Sequence, residues 1–364
     1  MSRGAPAGAE DADIVLVGVG AATPLGRTAE ASVAAARAGI AGFNAHPYMI
    51  DSRGDPFVAA MAPYLEASLG CDARMARLVA TAARDAVRSL PDTIREAAHL
   101  AVLIGLPEPR PGVGATLADD LSASVTHALL AEGWRGPWVK TLPRGNAAGL
   151  MALEIACAAL RTGRATFVLA GGADSHIEAD TLEWLDASER LHVPINGWGY
   201  IPGEAAGFCL LCTADTARAH GLATLGVLGP TANAIEPNRI YTETVCIGEG
   251  LTKCVQRALA GLPADARIDD TICDQNGEAY RADEFGFMLA RTSQRFADPG
   301  DFQAPADCWG DVGAASGPLF VALAAFAARK GYAKGPRTLL WASSIGGDRS
   351  AVVFSAPVSP DGER

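Results

Sequence analysis

Short apolar, β-branched runs closed by glycine alternate along this chain with alanine-rich stretches of helical period, and that alternation limits what it can fold into. The run IVLVGVG (14–20) opens the series and passes into the Gly/Pro turn AATPLG. An alanine-rich helix follows from Ala29 to Ala38 and stops at Gly39. A second helix is expected from about Met75 to Leu90, with Leu78, Val79, Ala82, Ala83 and Ala86 on one stripe. AVLIG (101–105) is another buried strand, and the Pro/Gly-rich residues 107–118 read as a loop. Then come a helix over 147–161, a stop at Gly163, the strand ATFVLAGG (165–172), and GEAAGFCLLC (203–212) as turn plus strand. Strands this apolar need cover on both faces, and the helices between them supply it, so the chain is a layered α/β protein.

The second half repeats the order of the first. ATLGVLGPTA (223–232) is strand-like, and a helix follows near 248–259. The strand DDTICDQ (269–275), a Pro318-initiated helix to Lys330 and a final pair of strands around SSIGG (343–347) complete it. The expected organisation is a disordered tail at 1–12, one half at 13–216 and a similar half at 222–357. The 364 residues are 49% hydrophobic, which excludes disorder over most of the chain. A net charge of −11 makes nucleic acid and anionic membrane poor partners. No apolar run reaches the ~18 residues that span a bilayer, and the N-terminus lacks the basic-then-apolar order of a signal peptide. A cytoplasmic protein is expected.

Eight cysteines in so long a chain do not make a disulfide scaffold. Cys209 and Cys212 form a lone CxxC inside FCLLC; a zinc site needs four ligands, so these read as core-strand thiols. The glycine clusters match neither GxGxxG nor a P-loop. No cofactor and no metal are expected.

Five blocks, in order, resemble the β-ketoacyl synthase (ketosynthase) branch of the thiolase-fold superfamily. They are IVLVGVGAATPLG (14–26), GRATFVLAGGADS (163–175), GEAAGFCLL (203–211), GDVGAASGPL (310–319) and SSIGGDRSAVVFS (343–355). The resemblance implies a thiolase-like fold: two pseudo-symmetric βαβαβ halves in a five-layer αβαβα arrangement, usually dimeric. It also implies a site with a nucleophilic cysteine at a helix N-terminus, where dipole and backbone donors lower its pKa, and two histidines that stabilise an enolate.

This chain departs from the family at each of those positions. The cysteine position, before the helix 147–161, is Asn146. The first histidine position, after DDTICDQ, is Asn276, and the second, in GDVGAASG, is Asp311. The lysine that orients the second histidine falls at Ala306, and the apolar gate of the Gly-rich loop at Ile345, beside Gly346 and Gly347. The six histidines (46, 99, 127, 176, 192 and 220) all precede residue 221, so no shift of register restores the missing pair.

An asparagine cannot hold an acyl group as a thioester; Asn146 reads equally as the N-cap of its helix. An ionised Asp311 would repel an enolate about 4 Å away by about 4 kcal/mol at an effective dielectric near 20. A protonated Asp311 paired with Glu278 or Asp274 would instead permit acid–base chemistry. Cys273 and Cys308 are candidates for a relocated nucleophile, but no histidine lies near them in sequence; His176, after the LAGGADS strand, is the candidate base, although a solvent-facing or core-edge position is the plainer reading of that histidine. Glu204 reads as a turn or ion-pair anchor, and the acidic run 271–284 as a solvated turn. Two functions stay open. One is a catalytically degenerate ketosynthase-like protein acting as an adaptor or partner subunit, bound to a second copy of itself, a ketosynthase, an acyl carrier protein or a secretion cargo. The other is an enzyme of altered acyl-thioester chemistry: an acyltransferase, decarboxylase or hydrolase. Little sequence separates AVLIG from the Asn146 helix, which puts the family's usual acyl tunnel and dimer in doubt.

Overall fold

In the computed structural model, which describes residues 13–357, β1 (Ile14–Ala22) is buried almost throughout and leads into α1 (Ala29–Arg37). Thr28 Oγ1 accepts from Ala31 N at the start of this helix, and Gly39, at φ +71°, follows its end. The hairpin β2 (Phe43–Ile50) and β3 (Pro56–Ala60) precedes α2 (Cys71–Val87), α3 (Asp92–Ala97), β4 (Leu100–Leu106), α4 (Leu117–Ala131) and β5 (Trp138–Pro143). A 3-10 turn at 145–147 opens α5 (Ala148–Arg161), followed by β6 (Phe167–Ser175), α6 (Ala179–Ala187), β7 (Glu204–Thr213) and α7 (Ala214–Ala219). The remainder comprises β8 (Gly226–Ile235), α8 (Glu249–Ala260), β9 (Asp270–Cys273), α9 (Ala279–Thr292) and α10 (Ala306–Trp309). A 3-10 turn at 313–315 then leads to α11 (Ser316–Lys330), β10 (Arg337–Ser343) and β11 (Asp348–Ser355).

Nine strands form one sheet in the order β5-β4-β6-β7-β1-β8-β11-β10-β9. The halves meet where β1 pairs antiparallel with β8 through Ile14–Leu228, Val15–Val227 and Leu16–Gly226. Outward from this seam the order is β1-β7-β6-β4-β5 on one side and β8-β11-β10-β9 on the other. Each side starts with its first strand, followed by its last. The place beyond β9 is taken by irregular chain, joined to the β9 segment by the bridges Ile268–Phe296 and Ile272–Gln303.

Three apolar cores separate five layers. One lies between the N-terminal strands and α2 with α4, a second encloses α5 and α11 between the two parts of the sheet, and a third lies under α8 and α9. The central helices pack closely because glycine stands at their contact: a Cβ on Gly149 would lie 2.5 Å from Pro318 Cδ, and one on Gly317 2.6 Å from Leu150 Cγ. Cys209 points into the central core and Cys212 into the outer one. Side chains three apart on a strand face opposite ways, so this CxxC cannot share an ion.

Several expectations need correction. Residues 107–118 are not loop throughout, because α4 starts at Leu117, with Leu121, Val125 and Leu129 buried. The stretch between AVLIG and Asn146 holds a further helix and an edge strand. The second helix begins at Cys71, four residues early, and ends at Val87. Pro318 does not open its helix; it is the third residue of α11, inside the first turn where its missing N–H costs nothing. The tail at 1–12 lies outside the described residues. Among the described residues no helix is long and apolar enough to cross a membrane.

Candidate functional site

The three positions where Asn146, Asn276 and Asp311 stand converge on one carboxylate. Asn146 lies in the 3-10 turn before α5, Asn276 between β9 and α9, and Asp311 between α10 and the turn before α11. Asn146 Nδ2 donates to Asp311 Oδ1 at 3.1 Å, and Asn276 Nδ2 to Asp311 Oδ2 at 2.8 Å. Gly313 N donates to Oδ1 at 2.9 Å. Asp311 and Asn146 are buried, at 6% and 7% exposed, while Asn276 is half-buried beside exposed Gly277. The backbone is equally fixed: Asp311 N donates to Ile201 O at 2.8 Å, and Gly203 N to Asp311 O at 2.9 Å.

Burial alone would raise the Asp311 pKa. His176, Arg281, the Gly313 N–H and the Asn276 amide outweigh it and hold the carboxyl below its ordinary value. His176 is itself buried, and desolvation followed by Arg110 lowers its own pKa, so at neutral pH the ring is uncharged. At neutral pH Arg281 and the Gly313 and Asn276 N–H donors remain around an ionised Asp311. His176 Nδ1 is 3.1 Å from Asp311 O, a contact that assigns the ring proton to Nδ1 because a carbonyl only accepts.

A ring of buried ion pairs surrounds this centre. Arg281 Nη1 donates to Asp274 Oδ2 at 2.8 Å and to Ser343 O at 2.9 Å, and its Nε to Glu278 Oε2 at 3.2 Å. Arg190 Nε reaches Glu278 Oε1 at 2.7 Å. Arg110 Nη2 reaches Asp174 Oδ1 at 2.6 Å, and Ala314 N donates to Asp174 Oδ2 at 3.2 Å. Residues 271–284 are thus not a solvated turn: Asp274, Glu278, Arg281 and Glu284 are all buried, and α9 occupies the end of the run. Asp311 and Glu278 are bridged rather than joined by a hydrogen bond of their own. The Asn276 amide stands between them and donates to both, reaching Glu278 Oε2 at 3.0 Å.

Asn146 does not cap α5. The N-cap is Ala147, whose N donates to Ser344 Oγ at 2.9 Å, while the Asn146 side chain turns to Asp311. The loop 344–347 is the turn between β10 and β11. Ile345 is half-buried, Gly346 is exposed and donates to Glu108 Oε1 at 2.9 Å, and Gly347 adopts φ +109°. Ala306 opens α10 and offers only a methyl group. Glu204 is an ion-pair anchor: it receives Arg74 Nε at 2.8 Å, Ala62 N at 2.7 Å and Ser175 Oγ at 3.2 Å.

The cysteines supply no substitute nucleophile. Cys273 lies in the outer core beside Gln303 O, and half-exposed Cys308 faces Ala36 O on α1. Burial raises the pKa of both. His176 is neither solvent-facing nor at the edge of the core. It is the residue that sequence reasoning undervalued, along with Arg110, Arg190, Arg281 and Glu108. The only advance signal for it was its place directly after LAGGADS. Chemically, the centre is an anion that accepts hydrogen bonds from Asn146, Asn276 and Gly313. It can hold three chain segments together, and it opposes negative charge.

Two pseudo-repeated halves, a shared central pair of helices and a site where loops from both halves meet define the thiolase-like fold. Residues 92–217 match the family model described as Beta-ketoacyl synthase, N-terminal domain. That segment carries the likeness in sequence, and the fold of the chain is that of thiolase-like ketosynthase structures. No curated protein matches the sequence. Among solved structures, it resembles a chain from a type II polyketide synthase complex of an acyl-carrier protein with its ketosynthase bound to the hexaketide. The identity is 16%, the match covers 95% of this chain and 100% of that one, and the TM-score is 0.78. It also resembles the ishigamide ketosynthase/chain length factor, at 18% identity, 95% and 100% coverage and a TM-score of 0.77. A Streptomyces albus JA3453 oxazolomycin ketosynthase domain matches at 17% identity, 97% and 76% coverage and 0.74.

Proposed function

We propose that the protein is a catalytically degenerate ketosynthase-like subunit that acts in the cytoplasm by binding a protein partner. One observation carries the reading: at the three catalytic positions of the resemblance, Asn146 and Asn276 both donate to the ionised carboxylate of Asp311. A thiolate at this place would meet that charge, and so would an enolate. The repulsion of about 4 kcal/mol expected at about 4 Å slows such a step by roughly three decades. The fold meanwhile keeps its central helices and loops, so selection for a shape rather than a reaction accounts for both facts. A ketosynthase and an acyl carrier protein are the first partners to examine, since the similar structures include a ketosynthase/chain length factor and an acyl-carrier protein complex.

The test is to incubate the pure protein with acyl and malonyl thioesters and to measure covalent mass shifts and released carbon dioxide. Neither product is expected. Turnover that is abolished by Asp311→Ala or Asn276→Ala would overturn the proposal and establish an enzyme. Affinity purification from the native host should then recover a ketosynthase or carrier protein; a secreted cargo would assign the adaptor role instead.

A further inference from the structure

Away from the Asp311 cluster, the C-terminal ends of α1 and α11 and the segment 303–308 enclose a cavity of about 390 Å³. None of Asn146, Asn276, Asp311 or His176 lines it. Its apolar wall comes from Pro305, Leu323 and Ala327, all buried. That volume and lining are those of a site for a small molecule. Arg37 stands at its rim with its guanidinium 3.4 Å above the centre of the Tyr332 ring. Arg37 is exposed, and among the described residues no carboxylate lies within 4 Å of it. A guanidinium over an aromatic face can still donate N–H groups from its edge to a carboxylate. Asp307 shares the rim and limits the charge an occupant can carry to a single negative one.

We propose that this cavity binds a small monocarboxylate with an apolar body, its charge against Arg37 and its body against Pro305, Leu323 and Ala327. Cys308 lines the same cavity and is the one cysteine of eight that is not fully buried. It reports on the site without taking part in binding.

The probe is 3-phenylpropanoate, with 3-phenylpropanamide as its uncharged counterpart. Titration calorimetry on the full chain should give a dissociation constant of about 0.1–1 mM for the acid, and binding at least tenfold weaker for the amide. Alkylation of Cys308 by iodoacetamide, followed by peptide mass, should slow at least fivefold at saturation with the acid. Arg37→Gln, an exposed position that leaves the core intact, should bring the acid down to the amide's affinity. Leu323→Trp should fill the cavity and remove both binding and protection. Absence of binding by about 10 mM overturns the proposal. So does equal binding of acid and amide, or binding that leaves the Cys308 rate unchanged.

Discussion

Asp311→Asn exchanges a carboxylate for an amide of the same shape and separates a structural clamp from a strained relic of chemistry. The carboxylate accepts from Asn146, Asn276 and Gly313. Asparagine keeps one acceptor oxygen, so whichever way it turns, its NH2 meets the NH2 of Asn146 or Asn276. One charge-assisted bond, about 1.5–3 kcal/mol, is lost, and a buried donor is left without an acceptor for about 1–3 kcal/mol more. Relief from burying a charge offsets part of this, leaving a net loss of about 2–4 kcal/mol. With a urea slope of about 3 kcal/mol/M, the unfolding midpoint falls by about 1 M. The pH dependence has a definite sign. Because the folded pKa lies below the unfolded value near 3.8, the stabilisation is complete above that value and disappears as pH falls through the folded one. The gap between wild type and variant should therefore be present at pH 7 and close below about pH 4. An unchanged or higher midpoint for the variant at pH 7 would refute the clamp. That is the outcome expected where a group is retained under strain for catalysis, because removing it relieves the strain.

Three further outcomes are expected. Asn146→Cys places a thiol where Asp311 repels its anion, so it should titrate well above the ~8.5 of free cysteine; alkylation at pH 7 faster than that of free cysteine would contradict the charge assigned to Asp311. Gly149→Ala forces a Cβ to within 2.5 Å of Pro318 Cδ and 2.6 Å of Ala314 O, and should cost about 1–3 kcal/mol in denaturant unfolding by prising α5 from α11. Glu108→Gln weakens the bond that Gly346 N makes to Glu108, so hydrogen exchange at Gly346 should accelerate several-fold while global stability changes little.

Local signals made the skeleton readable. The strands 14–20 and 165–172 and the helices at 29–38 and 147–161 are marked by composition and by their closing glycines, whereas Asn146, Asn276 and Asp311 are reached through the resemblance of the blocks around them. What escaped depended on partners distant in the chain. Nothing near Asn146 says that its side chain leaves the helix end for an acceptor 165 residues away. The acidic residues of 271–284 look solvated until Arg190, 88 residues from Glu278, is brought against them. The α4 helix was hidden for a different reason: it follows a Pro/Gly-rich stretch, and Asp119 and Asp120 interrupt its apolar stripe in the first turn.

The strand that seals the two halves leaves the ribosome before every other strand of its sheet. Ile14 pairs with Thr213, so β1 must wait for a neighbour about 200 residues behind it. At about 5–20 residues per second, translation leaves that apolar ribbon unmatched for roughly 10–40 s. A chain built this way pays for its single continuous sheet with a long vulnerable interval, and its yield in the cell should respond to slower synthesis or to a chaperone more sharply than its equilibrium stability would suggest.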